Sequence, residues 1–249
     1  MDETRFQLTR GDAVSWLREQ RSESIDLVIT DPPYESLEKH RAIGTTTRLK
    51  HSKASSNDWF EIFPNARFPE LFSEVYRVLK PNSHFYLFCD PETMFVAKQC
   101  ADEQPEKTRF KFWKPLIWNK QRIGMGYHYR AKYECILFFE KGKRKLNNLG
   151  TSDIIDCPRI VGGYPAEKPP EVASVLVEQS SLPGELVIDP FMGSGSTGVA
   201  AISNGRNFMG NDLCAEAIDI TRARLLELGA KEPLRAPPSA EIAQLGLMM

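Results

Sequence analysis

The sequence predicts an α/β fold with a mostly parallel, doubly wound sheet, and three observations carry that prediction. Short β-branched or aromatic runs alternate with segments of helical apolar spacing, as in Ile25–Thr30, Pro69–Leu79 and His84–Cys89. A glycine-rich turn, Gly193 to Gly198, stands where the run Glu185–Asp189 hands over to a helix-forming stretch that ends at Ser203. The chain has 249 residues, 41% hydrophobic and 26% charged, which suits one large domain of this kind.

Each element has its own signal. Phe6–Thr9 reads as a short strand closed by Arg10-Gly11-Asp12, and Ala13–Gln20 as a helix with Val14 and Leu17 at helical spacing. Ile25–Thr30 is a strand that leaves the sheet at Asp31-Pro32-Pro33-Tyr34, because two prolines cannot continue a central strand. Residues 35–58 read as a long loop with mild basic charge between Arg41 and Lys53. Leu71, Phe72, Val75, Val78 and Leu79 form one stripe of the Pro69–Leu79 helix, which Lys80-Pro81-Asn82 should end before the buried strand His84–Cys89. Pro91–Gln104 is a further helix. Phe112–Asn119 and Glu134–Glu140 are strands around a loop, Gln121–Arg130, whose Gly124 and Gly126 imply tight turns. Pro169–Ser180 reads as a helix, Phe208-Met209 as a strand and Ala215–Leu228 as a helix. The remainder, residues 229–249, reads as a loosely attached tail.

Composition narrows the class. No apolar run approaches the ~20 residues that span a bilayer, and the opening MDETRFQLTRGD carries acids where a secretory signal has a basic end. Cys89, Cys100, Cys135, Cys157 and Cys214 are odd in number and lack a Cys-x-x-Cys, which argues against a disulfide framework and a metal site and for a cytoplasmic protein. The net charge of −1 hides an asymmetry: twelve Lys or Arg and two acids between Lys107 and Lys145 give that stretch +10 and the remainder −11. Phe110, Phe112, Trp113, Trp118, Tyr127, Tyr129 and Tyr133 interleave with those cations. Cations among aromatics are the footprint of a phosphate-backbone binder. The candidate contacts are Lys107, Arg109, Lys111, Lys120, Arg122, Arg130, Lys132, Lys143, Arg144 and Lys145.

Two short segments carry chemistry. Gly193, Gly195 and Gly198 satisfy G-x-G-x-x-G between a strand and a helix, with Ser194, Ser196 and Thr197 between them. Such a loop lets backbone approach a nucleotide. Asp212, seventeen residues past Gly195, stands where a carboxylate can accept from both ribose hydroxyls. A dinucleotide or S-adenosylmethionine suits this geometry; no Walker lysine follows Gly198, and glycine stands where a serine elbow needs its nucleophile. At the other segment, ionised Asp31 and the Pro32 carbonyl offer two acceptors, and Tyr34 offers a face for stacking a base. Pro32 and Pro33 lock φ and so pre-set the acceptors. Two converging acceptors suit an exocyclic amine with two N–H donors. Drawing both hydrogens into tetrahedral geometry frees the nitrogen lone pair to attack a sulfonium methyl.

With these residues in view, the chain resembles the DNA amino-methyltransferases, which methylate adenine N6 or cytosine N4. The resemblance rests on Asp31-Pro32-Pro33-Tyr34 and on Asp189-Pro190-Phe191-Met192-Gly193-Ser194-Gly195. The catalytic segment comes first by about 160 residues, the circularly permuted order of the family's β group. Gly11-Asp12 is similar to the family's "GD" contact to the cofactor adenine. Tyr164-Pro165-Ala166-Glu167-Lys168-Pro169 is similar to its His-Pro-Thr-Gln-Lys-Pro segment beside the cofactor's methionine end, and Gly205 to Asp212 resembles the strand that ends in the ribose acid. Trp118-Asn119-Lys120, Tyr133-Glu134 and Lys141-Gly142 resemble its middle region.

The resemblance implies a single Rossmann-like methyltransferase domain over residues 1–228, with insertions for DNA recognition at about 35–58 and 105–150. It implies methyl transfer from S-adenosylmethionine to a flipped base in duplex DNA, with restriction-modification as one biological setting and a homodimer compatible with the family. Asp at position 31 favours adenine N6 over cytosine N4. The implied catalytic residues are Asp31, Pro32, Pro33 and Tyr34. The implied cofactor residues are Asp12, Lys168, Asp189, Phe191, Gly193, Ser194, Gly195, Ser196, Thr197 and Asp212. The competing readings are an RNA amino-methyltransferase and, in a different class, a nicotinamide-dinucleotide oxidoreductase using the same glycine loop.

Overall fold

The computed structural model describes residues 3–35, 61–124, 128–161 and 167–234. One eight-stranded sheet organises them, in the order β1-β8-β7-β2-β3-β5-β4-β6. The strands are β1 (Phe6–Arg10), β2 (Ile25–Thr30), β3 (Leu79–Cys89), β4 (Lys111–Asn119), β5 (Tyr133–Lys141), β6 (Ile154–Asp156), β7 (Leu186–Asp189) and β8 (Asn207–Asp212). Seven run one way, and β5 alone is antiparallel to its neighbours β3 and β4. The expected α/β, mostly parallel, doubly wound fold is present.

Among the described residues six α-helices cover the sheet: α1 (Ala13–Glu19), α2 (Phe68–Val78), α3 (Pro91–Glu103), α4 (Pro170–Ser180), α5 (Ser196–Ser203) and α6 (Ala215–Glu227). The first three lie on one face, where Val14, Leu17, Leu71, Val75 and Ala97 join a buried apolar cluster. The last three lie on the other, burying Val172, Leu176, Ala200, Ile218 and Leu225. Central strands covered on both faces need continuous rather than alternating apolarity, and all six residues of β2 are buried. Buried Asp26 is satisfied there by Lys80 Nζ at 2.6 Å and the Leu186 amide at 2.9 Å.

Three local expectations change. Lys80-Pro81-Asn82 lies inside β3, because the pairing with β2 jumps from Ile25↔Leu79 to Leu27↔His84 and the extra residues bulge out of the ladder. A proline is tolerated in a sheet at such a bulge. The three-residue strand β6 was too short to show a period. The expected loose tail is anchored at its start: Phe6 donates to the Lys231 carbonyl at 2.9 Å, Lys231 to the Thr4 carbonyl at 3.1 Å, and Ala230 is buried. The rest of that tail, and all of the 35–58 insertion beyond residue 35, lie outside the described residues. Among the described residues no helix is long and apolar enough to cross a membrane, and no group of His, Cys, Asp and Glu could hold a metal ion.

A buried histidine on β3 makes the fold sensitive to acid. His84 is fully buried, with Nδ1 2.7 Å from Ser180 Oγ and Nε2 3.1 Å from the Arg144 carbonyl. Burial pushes its pKa down to about 4, so between that value and about 6.5 the unfolded chain binds a proton that the folded chain does not. Its contribution is complete above the unfolded value and is lost as pH falls. By urea unfolding, the wild type should lose roughly 3 kcal/mol more than His84→Gln between neutral pH and about pH 4. Equal losses in the two proteins would contradict this.

Candidate active site

The site lies where two neighbouring parallel strands send the chain in opposite directions. β2 and β7 pair through Leu27↔Val187 and Val28↔Ile188. The chain leaving β2 proceeds to β3 on one side, and the chain leaving β7 proceeds to β8 on the other. That switch point opens a crevice at the carboxyl ends of the strands, where open α/β sheets place ligands. Asp31-Pro32-Pro33-Tyr34 follows β2 and the glycine loop follows β7.

A buried carboxylate joins the two segments. Asp189 Oδ1 accepts from Thr30 Oγ1 at 2.7 Å and from the Phe191 amide at 3.0 Å, while Oδ2 accepts from Thr197 Oγ1 at 2.8 Å. Burial raises its pKa to about 7, against the opposing effect of those hydrogen bonds. Asp189 and Thr197 were expected to touch cofactor. Their side chains meet each other and Thr30, which ties the glycine loop to the Asp31-Pro32-Pro33-Tyr34 corner.

The glycines answer distinct needs. Gly195 caps α5 with φ +81°, and a Cβ there would stand 2.5 Å from Thr221 Cγ2. Gly193 has φ +50° with nothing within 4 Å of a would-be Cβ, so its backbone borders open space. Its amide donates to Asp212 Oδ2 at 2.9 Å, the Cys214 amide donates to Oδ1 at 2.8 Å, and Thr221 Oγ1 donates to the Gly193 carbonyl at 3.0 Å. Burial pushes the Asp212 carboxyl above the usual carboxylate range. Phe191 packs edge-on against Phe63, with centroids 5.0 Å apart. Ser194 and Ser196 have internal partners: Arg224 Nη1 lies 2.7 Å from the Ser194 carbonyl, and Ser196 Oγ donates to the Lys168 carbonyl at 2.6 Å.

The Gly11-Asp12 segment meets this loop from β1. Gly11 donates to the Asp212 carbonyl at 3.1 Å. Asn211 Nδ2 donates to the carbonyls of Gly11 and Pro190, at 2.9 and 3.1 Å, while its buried Oδ1 has no hydrogen-bond partner among the described residues. Asp12 has work besides any ligand: it caps α1 through the Ser15 amide at 2.9 Å and accepts both Arg67 Nη atoms at 2.7 and 3.0 Å. The Arg67 guanidinium holds the Asp12 carboxyl well below its ordinary range. Neither Arg67 nor Asn211 stood out in the sequence.

At the corner, Tyr34 Oη donates to Asp31 Oδ1 and Lys168 Nζ donates to Asp31 Oδ2. The Pro33 carbonyl is held by the Phe63 amide at 2.8 Å, which fixes the exit of the turn. Lys168 also lies 3.6 Å from Glu134 Oε2, and Lys120 Nζ lies 2.6 Å from Glu134 Oε1. Lys168, expected at the cofactor, meets the glycine loop through its carbonyl and Asp31 through its ammonium group, and Lys120, expected to contact DNA, is paired with Glu134. Glu134, at the head of β5, was missed; only the Tyr133-Glu134 dipeptide hinted at it. Tyr164, Pro165 and Ala166 lie outside the described residues, while Glu167 pairs with Arg224 at 2.8 Å.

The basic segment does not form one patch. β4 and β5 are antiparallel, with Asn119↔Tyr133 at the site edge and Lys111↔Glu140 at the opposite edge. Nine residues of strand separate these edges by about 25 Å. Arg122, Arg130 and Lys132 belong to the connection beside the site. Lys107, Arg109, Lys111, Lys143, Arg144 and Lys145 lie around the far edge, where Lys111 covers the Trp113 ring at 3.6 Å and Arg144 pairs with Glu185 at 3.1 Å. Sequence adjacency concealed the hairpin that parts them.

Comparison with known proteins agrees with this architecture. The DNA methylase family matches residues 25–159 and 146–223. The DNA adenine methyltransferase YhdJ of Escherichia coli (strain K12) is 27% identical over 88% of this chain and 82% of its own length. The type II methyltransferase M.HpaI of Haemophilus parainfluenzae is 26% identical over 86% of this chain and 72% of its own length. The fold is shared with the M1.HpyAVI–SAM complex, at a TM-score of 0.63 and 20% identity over 88% of this chain and 99% of that one. It is shared too with the cytosine-N4-specific PvuII DNA methyltransferase, at 0.66 and 16% over 98% and 92%. No nicotinamide-dependent oxidoreductase stands among these relatives. This chain belongs to the N6/N4 DNA methylase family.

Proposed function

We propose that this DNA methyltransferase methylates the N6 amine of adenine in duplex DNA, with the target base flipped to the Asp31-Pro32-Pro33-Tyr34 corner. The observation that carries this reading is the Thr30–Asp189–Thr197 bridge, which locks the amine-binding corner and the glycine loop into one crevice. Identity with an enzyme named for adenine, and aspartate at position 31, favour N6 over cytosine N4.

The residues present fit S-adenosylmethionine. Open space borders the left-handed Gly193, a half-buried carboxylate stands beside it at Asp212, and Asn211 Oδ1 is an unanswered acceptor close by. Asp212 would hold the ribose hydroxyls, Gly193 and Phe191 would border the nucleoside, and the Gly11-Asp12 turn would close the adenine end. When bound, the cofactor would supply an electrophilic sulfonium methyl whose departing sulfur can take back the bonding electron pair. The chain's own residues do the rest. Asp31 and the Pro32 carbonyl take the two amine hydrogens, so the nitrogen lone pair leaves conjugation and points at the methyl. The corner is rigid before substrate arrives, because the prolines and the Phe63–Pro33 hydrogen bond fix it. Asp31 can pass the surplus proton to solvent.

Incubation with methyl-labelled cofactor and a mixture of mixed-sequence DNA and RNA, followed by digestion to nucleosides, tests the reading. Label in N6-methyldeoxyadenosine is the expected result; label in N4-methyldeoxycytidine, in RNA only or in neither rejects it.

Phosphate contacts then fall to the connection between β4 and β5 beside the site. Removing Arg130 and Lys132 together should lessen the slope of log K against log salt by about 2, since each phosphate contact contributes about −0.9. Removing Lys143 and Lys145 should leave that slope unchanged, because they lie across the sheet. The opposite pattern would place DNA on the far edge.

A further inference from the structure

The catalytic carboxylate is not free in this structure. Both Asp31 oxygens are engaged, one by Tyr34 Oη and one by Lys168 Nζ. An amine that needs Asp31 as an acceptor must displace at least one of them, and a carboxylate neutralised by an ammonium group is a weak acceptor. The buried ammonium cannot simply be left without an anion, because an unpaired charge out of water is costly.

The surroundings of Lys168 supply the alternative. Its backbone is fixed by Ser196 Oγ on the carbonyl at 2.6 Å, and its side chain is only 15% exposed, lying over the Phe88 ring at 5.1 Å. Glu134 Oε2 lies 3.6 Å from Nζ, beyond a tight hydrogen bond but within a small rotation. The other Glu134 oxygen is tied to Lys120 at 2.6 Å, which fixes the carboxylate in place. The result is a row of alternating charge, Asp31, Lys168, Glu134 and Lys120, drawn from the ends of β2, β5 and β4 and from the segment before α4.

We propose that Glu134 is a positioning residue that receives Lys168 when the target amine takes Asp31, so that the lysine masks the carboxylate in the free enzyme and releases it to substrate. This rests on the amino-methyltransferase reading above and adds a second acceptor for the lysine. No proton is transferred in the handover; one ammonium group exchanges one carboxylate for another. Tyr34 stays available to the base, since its link to Asp31 uses the other oxygen.

Glu134→Gln tests this, because it keeps size and removes the charge that would draw Lys168 away. The turnover number, counted per cofactor-binding site to remove any misfolded fraction, should fall about tenfold or more, while the cofactor Kd and the KM for DNA stay within about twofold. Glu134→Gln in a Lys168→Met background should cost nothing further, because the residue acts through the lysine. Turnover unchanged in Glu134→Gln, or effects of the two substitutions that multiply, would overturn the handover. Absence of adenine methylation by the wild type would instead overturn the underlying reading, so the two failures are distinguishable.

Discussion

Asp31→Ala should reduce methyl transfer by about 10³-fold, since one residue supplies both the acceptor for the target amine and the fixed negative charge at the reacting nitrogen. Cofactor binding should persist, because the glycine loop is held by Asp189, Asp212 and Thr221 and not by Asp31. The vacated Lys168 retains Glu134 as a partner, so the variant should fold. Asp31→Asn separates charge from shape: it keeps one acceptor oxygen but places two donors where the amine also brings donors. Transfer assays under saturating cofactor, paired with calorimetry of cofactor binding, check both halves. Turnover near wild type in Asp31→Ala would remove the residue from catalysis.

Gly195→Ala should cripple cofactor binding without touching any residue at the base side. Alanine at φ +81° costs about 1–2 kcal/mol, and its Cβ would collide with Thr221 Cγ2 at 2.5 Å, which adds a packing penalty of about 1–3 kcal/mol. The same threonine holds the Gly193 carbonyl at 3.0 Å, so relief of the clash moves the very segment that borders the open crevice. We expect at least about a tenfold loss of cofactor affinity and a lower Tm. Adding Thr221→Ala should recover part of the Tm, because it removes the clash but not the backbone strain. Full affinity in Gly195→Ala would show that the loop does not border the cofactor.

Much of the fold was legible because its signals are local. Ile25–Thr30 reads as a buried strand from six residues, and the Asp-Pro-Pro turn marks where it must stop. The glycine loop likewise announces itself through conformations only glycine adopts readily, as at Gly195. What escaped reading depends on contacts between distant segments. Glu134 becomes a site residue only because β5 alone runs backwards and delivers its first residues to the edge where β2 ends. The same reversal carries Lys143 to Lys145 to the far edge and splits a basic stretch that looked continuous. Lys168 faces Asp31 from 137 positions away, and Asp12 draws Arg67 from 55 away. The three donors that meet Asp189 likewise come from separate places, the end of β2, the glycine loop and α5.

On the proposed function, the corner after β2 and the loop after β7 present acceptor and donor face to face, so that the methyl group passes once, directly, from sulfur to nitrogen. Transfer from a cofactor whose methyl carbon is made chiral with hydrogen isotopes tests it most directly. One in-line displacement inverts the configuration, and inversion in the methylated base is the expected result. Retention would require two transfers through a group on the protein, and would contradict the arrangement described.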